Sequence, residues 1–211
     1  MDDATALRTL LAGPDPVPIA RALLGVEIIT TTGGVVTSGF ITETEAYRAP
    51  EDQASHARNH RRTPRTEVFY AAPGTAYVYL CYGIHDMFNV VTGPAGTPHA
   101  VLIRAVAPGR GLATIAARRG RAVTEPLRPQ LTSGPGVLTR ALGIDRRHNA
   151  VDLLDAAAPV RLAGAPATVP AAGIVAAPRV GIDYAGAEWA AKPWRFFRSD
   201  SPCVSRLKAR S

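Results

Sequence analysis

The chain has 211 residues, 46% of them hydrophobic and 19% charged, a composition typical of a globular protein with a sizeable core. Its 24 Lys and Arg outnumber its 17 Asp and Glu, giving a net charge of +7 that indicates an anionic partner such as nucleic acid or an acidic membrane face. Its two cysteines lie far apart, so neither a disulfide framework nor a structural zinc site is expected.

The sequence shows none of the common targeting or cofactor signals. No apolar stretch marks a signal peptide, and no apolar run approaches the roughly 18 residues of a transmembrane helix. The P-loop motif GxxxxGK[ST] is absent. We therefore expect a cytoplasmic, monomeric protein with one domain over residues 1–211, and with no metal, cofactor or membrane partner.

In chain order, the residue pattern predicts short helices, hairpin-linked strands and one long polar loop. The predicted segments are helices at 4–12 and 16–24, strands at 26–30 and 35–47, a loop at 48–75, strands at 75–82, 87–92 and 101–106, helices at 109–119 and 137–142, and a last strand at 179–183. Asp15 and Gly25 stand where an N-cap and a helix stop belong. Because the strands lack a βαβ rhythm, an α+β domain with a mixed or mostly antiparallel sheet is favoured.

Two acids and an aromatic residue share one face of the strand predicted over 35–47. Side chains alternate along a strand, so Glu43, Glu45 and Tyr47 are expected to lie on the face that also carries Ile41. If that face is partly buried, at least one carboxylate has a raised pKa and can act as a general base. A solvated face of an edge strand is the alternative explanation.

Arg104 lies inside the apolar segment 101–106. A lone arginine in an apolar strand is costly to bury unless a carboxylate pairs with it. Glu43 or Glu45 is the natural partner, either within a catalytic site or in a purely structural ion pair.

Three basic segments, at 56–65, 118–121 and 192–211, are expected to line one phosphate-binding groove. The first holds no acidic residue, and its arginines are Arg58, Arg61, Arg62 and Arg65. A merely solvated loop is the alternative. Ser133 and Gly134 precede a predicted helix and could place its N-terminus against a phosphate, although a plain capped helix is more common.

Tyrosines cluster on the strand predicted over 75–82. Tyr77 and Tyr79 face the same way, as in ordinary cross-strand packing. Tyr82 lies at a hairpin tip, where its ring could wedge between base pairs. An enzyme acting on a base must take it out of the stack and hold it between aromatic faces. The candidates for those faces are Tyr47, His56 and Tyr79.

Short motifs occur in a fixed order along nearly the whole chain. They are 21–25 (RALLG), 43–47 (ETEAY), 55–56 (SH), 62–65 (RTPR), 73–74 (PG), 77–79 (YVY), 82–83 (YG), 89–91 (NVV), 101–105 (VLIRA), 131–135 (LTSGP), 179–181 (RVG) and 192–193 (KP). Together they resemble the alkyladenine (3-methyladenine) DNA glycosylase family, also called the methylpurine glycosylase family. The vertebrate N-terminal extension is absent, which indicates a bacterial member.

The resemblance implies a single domain with a curved sheet, flanking helices and a protruding β-hairpin, which kinks double-stranded DNA and flips a damaged purine. Tyr82 is implied as the plug that fills the vacated stack. Tyr47 and His56 are implied to sandwich the flipped base, with Tyr79 closing the pocket. The His56 backbone N–H is implied to read the purine 6-position, and Asn89 to exclude the 2-amino group of guanine.

The same resemblance implies the chemistry. Glu45 is the implied base that deprotonates a water, Arg104 helps to place that water at C1′, and Glu43 has a lesser orienting or structural role. The implied substrates are 3-methyladenine and 7-methylguanine, with hypoxanthine and ethenoadenine as further candidates. The alternative is a non-catalytic DNA-bending or RNA-binding module on the same fold.

Lysine content bears on strand cleavage, because a glycosylase that also cuts the strand needs an amine for a Schiff base. Lys192 and Lys208 are the only lysines, and both lie in the tail. We therefore expect a monofunctional enzyme that leaves an abasic site. The sequence departs from many relatives at Thr66, where they have Asn, and at Ile84, where Met is common, so substrate range and flipping efficiency stay open.

Overall fold

A computed structural model describes residues 2–123, 129–166 and 169–205. The helices are α1 (Asp3–Leu11), α2 (Pro16–Ala22), α3 (Leu112–Arg118), α4 (Pro135–Leu142) and α5 (Ala187–Ala191). The strands are β1 (Glu27–Thr32), β2 (Val35–Arg48), β3 (Ala76–Cys81), β4 (His85–Thr92), β5 (His99–Pro108), β6 (Val160–Ala163), β7 (Ile174–Ala177) and β8 (Arg195–Arg198). None of the helices within these ranges is long and apolar enough to cross a bilayer.

The predicted helices begin and end at ordinary capping residues. The Asp15 carboxylate accepts the Val17 N–H at 3.0 Å, and Pro16 occupies the first turn of α2. Helix α4 ends at Gly143, which adopts the left-handed conformation with φ +71° that glycine tolerates best. The predicted helices near these positions are confirmed.

The strands form one curled antiparallel sheet in the order β3-β4-β5-β2-β1-β6, and β8 joins it by pairing with both β2 and β7. Every strand pair in the described part of the chain is antiparallel, which confirms the predicted α+β class. With 14 residues, β2 is the longest of these strands and pairs with β1, β5 and β8. The sheet is therefore organised around the strand that carries the candidate acids.

Strand β2 does not keep a strict alternation of side chains. Its register with β5 shifts on both sides of Glu43, which is the mark of β-bulges. Ile41 packs in the main core together with Ala46, whereas Glu43 and Glu45 both contact Arg104. The prediction that Ile41 shares the face of the two acids is wrong, because alternation does not continue through a bulge.

The main core packs helices α1 to α4 against the sheet, with Leu7, Ile19, Ile115 and Leu138 among its buried side chains. Two smaller clusters form elsewhere, under the loop that follows β2. Phe69 and Tyr77 belong to one of them, while Ala54 and Ile182 belong to the other. Side chains from both small clusters border the cleft described below.

The prediction of a last strand at 179–183 is wrong. Strand β7 ends at Ala177, and the chain then turns inward. The Arg179 guanidinium binds Asp52, and the Val180 N–H donates to Glu45 Oε1 instead of to a neighbouring strand. Strand β8 and helix α5, which the sequence pattern did not predict, follow this segment.

Candidate active site

A narrow cleft opens beside β2, β3 and β4. Its walls are mostly aromatic and come from these strands, from the loop after β2 and from the turn after β7. They include Tyr47, His56, Phe69, Tyr77, Tyr79, Asn89 and Tyr184. The structure thus brings the four candidate base-pocket residues, Tyr47, His56, Tyr79 and Asn89, into one cleft.

The aromatic rings of the cleft support one another. Tyr77 and Tyr79 stack with centroids 5.2 Å apart and an interplanar angle of 27°. The His56 ring meets Tyr79 edge-on at 4.7 Å, and its Nδ1 is 3.0 Å from the Tyr77 hydroxyl. The Asn89 amide donates to the Tyr77 carbonyl oxygen at 3.1 Å, which fixes its orientation in the wall. The cleft is therefore preformed, with its walls held by neighbouring side chains.

His56 is neutral at physiological pH. Burial, together with the nearby Arg65, Arg58 and Arg61 guanidinium groups, lowers the pKa of its imidazole to about 4. A neutral ring can stack on a purine but is a weak proton donor. These contacts also show that three loop arginines lie close to the cleft.

We expect the His56 shift to make stability depend on pH. Because unfolded His56 regains its ordinary pKa of 6.5, it takes up a proton before the folded state does, so its stabilising contribution is present above pH 6.5. That contribution, about 2 kcal/mol after allowance for partial exposure, is lost as the pH falls toward 4. The free energy of unfolding, measured by urea titration at pH 7 and 4.5, should change less in His56→Gln than in wild type. His60→Gln, in an exposed position of the same loop, is the control, and equal pH dependence of wild type and His56→Gln would contradict the assignment.

Glu45 lies behind Tyr47 and is fully buried. Its Oε2 accepts the Tyr47 hydroxyl at 2.8 Å, and its Oε1 accepts the Val180 N–H at 2.8 Å and lies 3.2 Å from Arg104 Nη1. Burial and the adjacent Glu45 carboxylate raise the pKa of Tyr47 well above its ordinary value, so this hydroxyl stays a donor. Glu45 is not itself among the residues that line the cleft, and its hydrogen bond to Tyr47 connects it to the cleft wall.

Arg104 lies between the two acids of β2, which confirms that a carboxylate pairs with it. Its Nε donates to Glu43 Oε1 at 2.9 Å, and Arg195 Nε donates to the same oxygen at 2.6 Å. Burial alone would raise the pKa of Glu43, but Arg104, Ser205 and Arg195 together lower it below its ordinary value. The expectation of a raised pKa therefore fails for Glu43, because both cations accompany it into the interior.

The four arginines of segment 56–65 are not all without acidic partners, although that segment itself contains no acid. Arg62 forms a bidentate ion pair with Glu67, at 2.8 and 2.6 Å, just beyond the window that held no acid. Arg65 lies over the Tyr79 ring, 5.0 Å from its centroid. Together with Arg58 and Arg61, Arg65 brings positive charge to the mouth of the cleft.

Ser133 and Gly134 border a separate cavity beside Arg104. The Gly134 N–H donates to the Arg104 carbonyl oxygen, while the Ser133 hydroxyl and N–H both donate to the Pro129 carbonyl oxygen. The donors of Ser133 and Gly134 are therefore already used within the protein.

In the described part of the basic tail, the basic side chains are paired with acids, and the phosphate groove expected there stays a prediction. Arg195 is buried against Glu43, Arg198 pairs with Asp200, and Lys192 Nζ lies 3.2 Å from Glu188. The other three basic residues of the tail, Arg206, Lys208 and Arg210, lie outside the described residues.

The β3–β4 hairpin carries Tyr82 at its tip with 90% of its surface exposed, and Ile84 beside it is 72% exposed. Tyr82 and Gly83 both have positive φ, which makes a sharp three-residue turn between the paired Cys81 and His85. Two large apolar side chains at an exposed tip are unusual in a soluble domain. The hairpin predicted around Tyr82 is confirmed in its position and exposure.

Tyr184 is a cleft residue that the sequence pattern did not indicate. It lines the mouth with 65% of its surface exposed, and its hydroxyl donates to the Ala54 carbonyl oxygen at 3.0 Å. It lies in a single 3₁₀ turn, Asp183–Ala185, which is too short to show a helical pattern in the sequence. The sequence pattern did not indicate the Val180 N–H either.

The described residues hold no cluster of three or more His, Cys, Asp and Glu side chains that could bind a metal ion. Both Cys81 and Cys203 are free thiols. No lysine occurs among the residues that line the cleft. The cleft lining therefore offers phenols and an imidazole, while the buried Glu45 carboxylate, paired with Arg104, is joined to the lining through Tyr47.

Comparison with known proteins agrees with this geometry. Residues 11–202 match the family model described as "Methylpurine-DNA glycosylase (MPG)". A Bacillus cereus (strain B4264) protein named "Putative 3-methyladenine DNA glycosylase" is 43% identical over 195 residues, covering 91% of this chain and 95% of its own. A Chlamydia pneumoniae protein of the same name is 44% identical over 185 residues, covering 88% and 90%. The chain belongs to the methylpurine-DNA glycosylase family and is a DNA glycosylase.

Proposed function

We propose that this protein is a monofunctional DNA glycosylase of base excision repair. It flips alkylated purines out of double-stranded DNA and hydrolyses the N-glycosidic bond with a water activated by Glu45, leaving an abasic site. The substrates are 3-methyladenine and 7-methylguanine, with hypoxanthine and ethenoadenine as further candidates. The observation that carries the proposal is the buried Glu45 carboxylate, held by Tyr47, Val180 and Arg104 behind an aromatic cleft.

The cleft suits a flat, extruded purine. In the proposal, Tyr47 and His56 stack on its two faces, and Tyr79 closes the pocket. The His56 backbone N–H has no acceptor among residues 2–123, 129–166 and 169–205, which leaves it available for the purine 6-position. Asn89, fixed by its bond to Tyr77, excludes the 2-amino group of guanine.

The reaction uses a substrate whose bond is already weakened. Alkylation at N3 or N7 gives the purine a positive charge, so it leaves readily and the sugar gains oxocarbenium character. The Glu45 carboxylate stabilises that developing charge and takes the proton from a water placed by Arg104 as the water attacks C1′. Neutral lesions need protonation of the base. His56 is a poor proton donor, because with a pKa of about 4 almost none of its imidazole is protonated at neutral pH. We therefore expect slower release of hypoxanthine and ethenoadenine.

The charged and exposed residues around the cleft suit DNA. Tyr82 enters the gap left by the flipped nucleotide, and Arg58, Arg61 and Arg65 contact phosphates near the cleft. Arg62 contacts a phosphate only after leaving Glu67. Ser133 and Gly134, before α4, do not contact phosphates in this proposal, because their donors already bind backbone carbonyl oxygens.

A base-release assay tests the proposal. Methylated DNA should yield free 3-methyladenine and 7-methylguanine, a duplex with one hypoxanthine should react more slowly, and undamaged DNA should yield nothing. Borohydride should trap no covalent complex, since the reaction uses water rather than an amine. Wild-type protein that binds lesion DNA but releases no base would favour the DNA-bending alternative. Tighter binding of structured RNA at the same salt concentration would favour the RNA-binding module.

A further inference from the structure

The segment 201–205, here called the C-terminal strap, closes over the buried charges behind the cleft. Ser205 makes most of its contacts. Its N–H donates to Glu43 Oε2 at 2.6 Å, and its hydroxyl donates to Glu43 Oε1 at 2.7 Å. The same hydroxyl accepts Arg104 Nη2 at 3.1 Å, and the Ser205 carbonyl oxygen accepts Arg195 Nη2 at 3.4 Å. One residue at the end of the described chain thus touches three buried charged side chains.

The strap is anchored beside the acid it contacts. The Thr42 hydroxyl donates to the Cys203 carbonyl oxygen, and Cys203 itself is buried. Since Thr42 immediately precedes Glu43 in β2, the anchor and the Ser205 contacts act on the same stretch of strand. The strap is not a strand of the sheet, yet it contacts Glu43 on β2 and Arg104 on β5.

Each nitrogen group of the Arg104 guanidinium has its own partner. Nε binds Glu43, Nη1 faces Glu45, and Nη2 binds the Ser205 hydroxyl. The guanidinium is planar, so three contacts on different edges fix its position and its rotation. Removing the Ser205 hydroxyl leaves a buried Nη2 donor without this partner and frees the plane to tilt toward Glu43.

We propose that Ser205 is a positioning residue for base excision, acting through Glu43 and Arg104 on the water that Glu45 activates. The inference rests on the proposed function, in which Arg104 places that water. Ser205 is not among the residues that line the cleft, so its effect falls on the chemical step rather than on recognition of the lesion.

Ser205→Ala tests the role, because it removes the hydroxyl and keeps the backbone N–H. The single-turnover rate of 3-methyladenine release should fall by at least about tenfold, because the hydroxyl bonds to both Glu43 and Arg104 and a hydrogen bond to a charged group is worth on the order of tenfold. The dissociation constant for an abasic-analogue duplex should stay at the wild-type value. The variant should stay folded at the assay temperature, although losing a buried hydrogen-bond partner lowers its thermal midpoint by a few degrees. Ser205→Thr keeps a hydroxyl and should restore the rate. Ser199→Ala is the matched control, because its hydroxyl donates to the Gly173 carbonyl oxygen and, within the described residues, to no charged side chain.

The outcomes separate this inference from the function on which it rests. If Ser205→Ala releases base at the wild-type rate while Glu45→Gln does not, the strap plays no positioning role and the proposed function stands. A slower rate that is explained by weaker DNA binding or by unfolding at the assay temperature also overturns the positioning role. If wild type releases no base, or Glu45→Gln equals wild type, the proposed function itself has failed.

Discussion

Glu45→Gln is expected to slow base release by about 10³-fold, within the range that general-base catalysis contributes. The amide keeps the size of the side chain and one oxygen acceptor for the Tyr47 hydroxyl or the Val180 N–H. It cannot take a proton from water, and it no longer carries the charge that stabilises the developing oxocarbenium ion. Single-turnover release of 3-methyladenine from methylated DNA, with enzyme in excess, measures the effect.

Affinity for DNA should survive the same substitution. Glu45 is fully buried behind Tyr47, so a duplex with an abasic analogue should bind within about threefold of wild type, a difference below 1 kcal/mol. The control is Glu27→Gln, the same change at a β1 residue that forms an ion pair with Arg110. This variant should keep full activity. If Glu45→Gln released base at the wild-type rate, Glu45 would not be the general base. A parallel loss of release and binding would indicate a structural role instead.

Asp52→Ala is expected to destabilise the protein by about 3–5 kcal/mol, the usual cost of removing one partner of a buried ion pair. Asp52 and Arg179 are both fully buried side chains, joined by contacts of 2.5 and 2.9 Å. Alanine would leave the guanidinium in the interior without its counter-charge. For a domain of this size, the thermal midpoint should fall by roughly 10 °C.

Losing the Asp52–Arg179 pair should also weaken the cleft wall, because Arg179 packs on Tyr47. The Arg179 guanidinium carbon lies 4.8 Å from the Tyr47 ring centroid, and Nη1 donates to the Ala46 carbonyl oxygen. Thermal unfolding measures the effect, with Asp155→Ala at an exposed turn as the control. Because Arg179→Met removes the stranded charge, adding it to Asp52→Ala should recover part of the loss. A loss below about 1 kcal/mol in the single variant would show that the pair is not a main support of the wall.

Features that depend on neighbours in sequence could be predicted. Asp15 and Pro16 mark the start of α2, and Gly143 marks the end of α4, because capping is a local requirement of the backbone. Arg104 was predicted to pair with a carboxylate because an unpaired buried cation is costly. The α+β class followed from the hairpin-linked strands, and the exposed position of Tyr82 followed from its place beside Gly83.

Features that depend on contacts between distant segments could not be predicted. Strand β8 has only four residues, and its place beside β2 depends on a pairing of Glu43 with Phe197. The bulge that turns Ile41 away from the acids appears only when β5 is in register beside β2. Ser205 reaches Glu43 across 162 positions of the chain, and no pattern within its own segment marks that contact.

The most direct test of the account is a crystal structure of Glu45→Gln bound to a duplex that contains one ethenoadenine. We predict that the damaged purine lies outside the helix between Tyr47 and His56, with its C1′ facing residue 45 and the Tyr82 ring in the vacated gap. A purine that stays stacked in the duplex, or whose C1′ lies far from residue 45, would contradict the account.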